Sequence, residues 1–165
     1  NNEKFIVIKR GIELARLNTT LDSTIRHVFD NIDVNCYDFF LVYTIEAPFL
    51  RERLLNSAIS TMQIFETDTV VAVRPVSRYY YKHSGSGMEP LNYSKKFLRL
   101  EKDQWYSGVT TFLLRKIDDY IKTNSCFGEK IGHVVFDRIS AFEIEEDIDT
   151  KTAEIYYDEF HKGID

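Results

Sequence analysis

One run limits the folds open to this chain more than any other stretch. Residues 37–45 read YDFFLVYTI, apolar at consecutive rather than alternate positions. A strand that is apolar on both faces belongs in a sheet covered on both sides, as at the centre of an α/β layer. Its neighbours agree. Residues 5–8 (FIVI) are a short apolar run bounded by charge and read as a buried strand. Leu21, Ile25, Val28 and Phe29 follow at helical intervals, with Asn18 or Thr19 placed to cap them. Pro48 ends the central run. Leu54, Leu55, Ala58, Ile59 and Met62 repeat the helical spacing, and residues 69–76 (TVVAVRPV) read as another buried strand. Strand, helix, strand, helix, strand predicts an α/β fold: a mostly parallel sheet with helices on both faces.

The middle of the chain departs from that order. Residues 78–104 hold Tyr79, Tyr80 and Tyr81, a His83-Ser84-Gly85-Ser86-Gly87 turn, and a second extended stretch. This predicts a hairpin that projects from the sheet. Residues 109–114 return as a strand, 117–122 as a short helix, 131–136 as a strand and 151–162 as a closing helix. With 165 residues and no repeat, low-complexity tract or linker, one domain is expected.

Composition excludes several classes. Ten Tyr and twelve Phe within a 44% hydrophobic chain leave little room for disorder. A formal net charge of −5 argues against a nucleic-acid partner held by a basic surface, though a local basic patch can still bind a nucleotide. Cys36 and Cys126 have no metal-ligand spacing and no disulfide framework around them, which suits the cytoplasm. No apolar run is long enough to span a bilayer, so no membrane partner is expected. The start, Asn1-Asn2-Glu3-Lys4, shows neither an initiator Met nor a signal peptide, and reads as trimmed or cut from something longer.

Two groups of residues could carry chemistry. Asp147 and Asp149, read as an extended segment, project to one face. Two hard carboxylates beside a phosphate suit Mg²⁺, which takes one or two carboxylates and completes its shell with phosphate oxygens and water. The competing reading is a solvated acidic turn before a helix, with Asp149 or Thr150 as its cap. Thr44 and Glu46 follow the central strand, and ligands of α/β sheets sit outside the carboxyl ends of strands. Pro48 could equally make this an ordinary strand-to-helix connection. Tyr79, Tyr80, Tyr81 and Tyr93 would suit either a subunit interface or packing on their own domain. His27, His83, His133 and His161 lie far apart with no ligand spacing.

Several segments, taken in order, carry a resemblance. They are Tyr37-Asp38-Phe39-Phe40-Leu41-Val42 with the Thr44-Ile45-Glu46-Ala47-Pro48 turn, then Asp68-Thr69-Val70-Val71, Pro90-Leu91-Asn92-Tyr93 and Tyr106-Ser107-Gly108. The closing ones are Asn124-Ser125-Cys126-Phe127-Gly128 and Asp147-Ile148-Asp149-Thr150. Together they resemble the acylneuraminate cytidylyltransferase family, whose fold is nucleotide-diphospho-sugar transferase-like. The resemblance implies transfer of CMP from CTP to an acidic nine-carbon, sialic-acid-like sugar, with Mg²⁺ at Asp147 and Asp149. It implies substrate contacts at Thr44, Glu46, Arg99 and Phe127, and a homodimer formed through the projecting segment. The chain departs from the family at three points: Thr44 stands where the family has Gln, Cys126 replaces an aromatic, and no Gly-rich phosphate loop precedes the first strand. This chain alone is therefore expected to be inactive and to bind CTP weakly. Two alternatives stay open: an inactive relative serving as a binding or dimerisation domain, and a different nucleotide-sugar enzyme on the same layout.

Overall fold

A computed structural model describes residues 5–16, 19–91 and 104–162. A 3-10 turn at Ile12–Ala15 precedes α1 (Leu21–Phe29), β1 (Phe39–Tyr43), α2 (Glu52–Ile64) and β2 (Thr69–Val76). The short pair β3 (Tyr81–His83) and β4 (Met88–Pro90) follows. Then come β5 (Trp105–Lys116), α3 (Ile117–Thr123), β6 (Ile131–Val135) and α4 (Asp147–Lys162).

Alternation along the strands divides the core in two. On one face Leu41, Val70, Ala72, Phe112, Leu114 and Val134 pack against Leu54, Ala58 and Met62 of α2. On the other, Phe40, Val42 and Leu113 meet Ile25 and Phe29 of α1 and Tyr120 of α3. Phe29, Phe40 and Tyr120 form a triangle of edge-to-face rings with centroids 5.2–5.3 Å apart. Helices thus cover both faces, as the two-sided apolar character of residues 37–45 requires.

The four long strands form one sheet in the order β1-β5-β2-β6. β2 and β6 are parallel, but β5 runs antiparallel to both of its neighbours. The sheet is mixed, which corrects the mostly parallel sheet expected from the sequence. The reason is the excursion between β2 and β5. A parallel return needs a crossover that carries the chain back to the far end of the sheet. The excursion instead re-enters with Trp105 beside Val76, where β2 ended, so β5 can only run back.

Two strand expectations change as well. Residues 5–8 are not a buried strand: they lack strand pairing, and Phe5 and Val7 are 79% and 96% exposed. An apolar run becomes a strand only where an edge accepts its backbone groups. Among the described residues β1 pairs with β5 alone and lies at the edge of the sheet. The β3–β4 hairpin is a separate two-stranded sheet whose strand residues are all exposed.

β5 is also irregular. Val71 of β2 faces Leu113, yet Ala72 faces Val109, so Thr110, Thr111 and Phe112 bulge away from β2. Bulges bend a strand and re-aim its side chains. Here the bulge turns Thr110 and Thr111 towards the carboxyl end of β1.

Candidate functional site

The carboxyl ends of β1, β2 and β6 lie at one end of the sheet, where α/β proteins bind ligands. At the end of β1 a cavity of about 280 Å³ is lined by Thr44, Glu46, Thr110, Thr111, Glu143 and Glu145. Three links hold it together. The Thr44 amide donates to the Thr111 carbonyl at 3.3 Å, and the Ile144 amide donates to the Glu46 carbonyl at 2.8 Å. Thr110 Oγ1 donates to Glu143 Oε1 at 3.2 Å. Asp137 steadies the segment leading to Ile144: its Oδ1 accepts from the amides of Ile139 and Ser140, and its Oδ2 meets Arg53 at 3.1 Å.

The hydroxyls of Thr44 and Thr111 are buried and have no hydrogen-bond partner of full geometry among the described residues. A buried polar group without a partner costs about 1–3 kcal/mol, which a polar ligand in this cavity would recover. The Glu46 carboxyl is exposed and held below its usual range, first by its own backbone amide and then by the nearby Thr44 hydroxyl. The cavity is therefore lined by three threonine hydroxyls, of which Thr110 is bonded to Glu143, and by three carboxylates.

The Asp147-Ile148-Asp149-Thr150 segment reaches the same end of the sheet but takes a different shape from the one expected. It is not extended; it forms the first turn of α4. Residues two apart on a helix point about 200° from each other, so the two carboxylates do not share a face. Asp149 Oδ2 accepts from the amides of Glu145 and Glu146 at 3.0 and 2.9 Å. That is the back-reaching half of a capping box, which satisfies donors just ahead of the helix. Asp147 is exposed, and neither residue lines the cavity beside β1. Among the described residues no three His, Cys, Asp or Glu side chains group as metal ligands. The helical backbone differs from the extended segment on which the shared face of Asp147 and Asp149 was expected.

Phe127 lies elsewhere. Its turn packs at the opposite end of the strands, against Thr69 at the start of β2, whose hydroxyl accepts from the Gly128 amide at 3.1 Å. Along β5 that end is four residues from Thr111, about 13 Å. Thr44, Glu46 and the start of α4 are thus gathered at one end, and Phe127, 60% exposed, at the other. Arg99 lies outside the described residues.

Beneath the Phe127 turn sits a polar network that residue patterns did not disclose. Arg115 of β5 is buried and meets Asp68 at 2.9 Å. It also donates to Thr69 Oγ1, Thr123 Oγ1 and the Ser125 carbonyl at 3.0–3.2 Å. Asp68 Oδ2 accepts from the amides of Glu129 and Lys130. Burial opposes ionisation of Asp68, but those two amides, the Thr69 hydroxyl and Arg115 outweigh it and hold the carboxyl below its usual range. A side chain at position 128 would collide with Asp68 and Arg115, which is why glycine stands there. Cys126 beside this network is buried. Burial first, and Asp22 next, push its thiol up to about 12, so it is no nucleophile at neutral pH. In the sequence Glu143, Glu145 and Glu146 form an acidic run with the look of ordinary surface. Only the pairing of residue 144 with Glu46 turns Glu143 and Glu145 into cavity walls.

No protein-family model matches this chain, and no curated protein matches it. Its fold is similar to the crystal structure of a 4-diphosphocytidyl-2C-methyl-D-erythritol synthase from Anaerococcus prevotii, with a TM-score of 0.59 and 16% identity. The match covers 85% of this chain and 67% of the other. At that identity the likeness establishes the fold alone, an α/β layer shared with that synthase.

Proposed function

We propose that this protein is a nucleotidyltransferase of the cytidylyl class, transferring CMP from CTP to an acidic nine-carbon sugar in the cytoplasm. One observation carries the reading: the fold is shared with an enzyme named for a diphosphocytidyl product, and the cavity lies outside the carboxyl ends of its strands. The ordered motifs of the acylneuraminate family point to the acidic acceptor. In such a transfer an acceptor hydroxyl oxygen bonds to the α-phosphorus of CTP, the α–β phosphoanhydride bond breaks, and pyrophosphate leaves. The Thr44 and Thr111 hydroxyls would hold acceptor or nucleotide oxygens. Asp147 and Asp149 would hold the Mg²⁺ that accompanies the triphosphate, and the ion would supply neutralisation of its charge. Arg99 and Phe127 would contact the sugar, and the hairpin would join two copies in a homodimer.

A second reading has a specific observation behind it. The cavity beside β1 carries three carboxylates and no cation among its lining residues, an unfavourable setting for a triphosphate. A binding or dimerisation domain without catalysis would tolerate this.

The test is pyrophosphate release by the product of the complete reading frame, given CTP, Mg²⁺ and a panel of nine-carbon sugar acids. Release with at least one acid is expected; no release with any would favour the second reading.

A further inference from the structure

A second cavity lies at the same end of the sheet and differs in charge. Arg74, near the end of β2, stands opposite Ser107 of β5 in the strand register. Just past β2, Ser77 and Arg78 join them around a cavity of about 340 Å³, with Tyr80 on its wall. Two guanidinium groups and two serine hydroxyls line it, and no carboxylate does among the described residues. This stands out on a chain of net charge −5 and beside a neighbouring cavity with three carboxylates. A guanidinium fork matches the planar oxygens of a carboxylate or phosphate. The β2–β5 ladder fixes Arg74 and Ser107 relative to each other. Gly108, next along β5, leaves open space where a side chain would stand.

We infer that this cavity is an anion site, taking the carboxylate or phosphate group of a small molecule. Ser107 is three residues from Thr110 on β5, about 10 Å along the strand. A molecule anchored here by its anionic group reaches the Thr44 and Thr111 hydroxyls with its far end. That larger statement, an acceptor spanning both cavities, rests on the cytidylyl-transfer reading; the anion site itself does not.

The experiment is an amide NMR titration of the chain with inorganic phosphate and, separately, with N-acetylneuraminate, which has a carboxylate and no phosphate. Saturable shifts are expected at the amides of Arg74, Ser77 and Ser107 with at least one of them. Arg74→Gln should weaken binding roughly tenfold, the loss of one charge-assisted hydrogen bond. Arg78→Gln provides a second variant should the first disturb the fold. Lys122→Gln, at the far end of the sheet, should leave binding unchanged. A response to the carboxylate alone assigns an acidic ligand, a response to phosphate alone a phosphorylated one, and either supports the site. Shifts from neither anion would overturn the inference, as would binding that Arg74→Gln and Arg78→Gln leave intact. Absence of pyrophosphate release with CTP and every sugar acid of the panel would count against the cytidylyl-transfer reading and leave the anion site standing.

Discussion

Arg115 and Asp68 show how much one buried pair can organise. Arg115 is buried, and its side chain ties β5 to Asp68 and Thr69 at the start of β2, to Thr123 at the end of α3 and to Ser125 in the turn before β6. Removing one partner of a buried ion pair leaves the other charge uncompensated, typically at a cost of about 3–5 kcal/mol. Asp68 is partly open to water, so Asp68→Asn should destabilise the fold by roughly 3 kcal/mol at pH 7. Urea unfolding measures this, and an unchanged midpoint would refute the structural role given to the pair. The pH dependence follows from the lowered folded pKa. The stabilisation is complete above the unfolded value near 3.9 and is lost as pH falls through the folded value. The gap between the native protein and Asp68→Asn should therefore narrow below about pH 4. Asp68 was legible only as the first residue of a matched segment and Arg115 not at all, because an Arg at the end of an apolar strand looks the same whether it points to solvent or into the core.

Among the elements, α4 joins structure to proposed chemistry. Its first turn is tied back by Asp149 to the segment that walls the cavity beside β1. Asp149→Asn should cost about 1 kcal/mol of stability through the weakened cap. If a carboxylate of this turn also serves catalysis, turnover should fall roughly tenfold or more. Full turnover with the expected stability loss would confine Asp149 to capping. The helix itself was legible from its spacing, but it starts four residues earlier than expected, at Asp147. That shift separates two carboxylates which an extended backbone would have aligned. The strand segment 69–76 was legible because burial on both faces of its first five residues leaves no polar alternation, and 131–136 was legible as a short apolar run although only Val134 of β6 is buried. Residues 5–8 carried the same signal and are exposed, since a strand needs a neighbour as well as an apolar pattern.

At the scale of the whole molecule, the hairpin is the prominent exposed feature. Tyr81 and Met88 are 53% and 63% exposed on strands that make no pairing with the main sheet. Aromatic and Met side chains concentrate at interface cores. The proposed homodimer should give way to monomer in the Tyr81→Arg, Met88→Arg double variant, read by light scattering of the eluted protein. A dimer that survives both substitutions would place the interface elsewhere. The fold likeness covers 85% of the chain at 16% identity, the pattern expected when layer packing is kept while site residues diverge.

Apolar periodicity by itself determined that this chain makes an α/β layer with helices on both faces, because each element must bury its apolar face against another. The turn residues at 83–87 predicted a hairpin, and β3 and β4 form one, as a two-stranded sheet of their own among the described residues. Tertiary structure decided the direction of β5, since direction depends on where the excursion re-enters. It decided which acidic side chains meet Thr44 and Glu46, since a backbone bond between residues 144 and 46, far apart in the chain, draws them together. It decided, too, that Asp147 and Asp149 diverge and that Phe127 lies at the other end of the strands. Spacing along a chain sets which neighbours a residue has locally, and only the path of the backbone sets which it has in space.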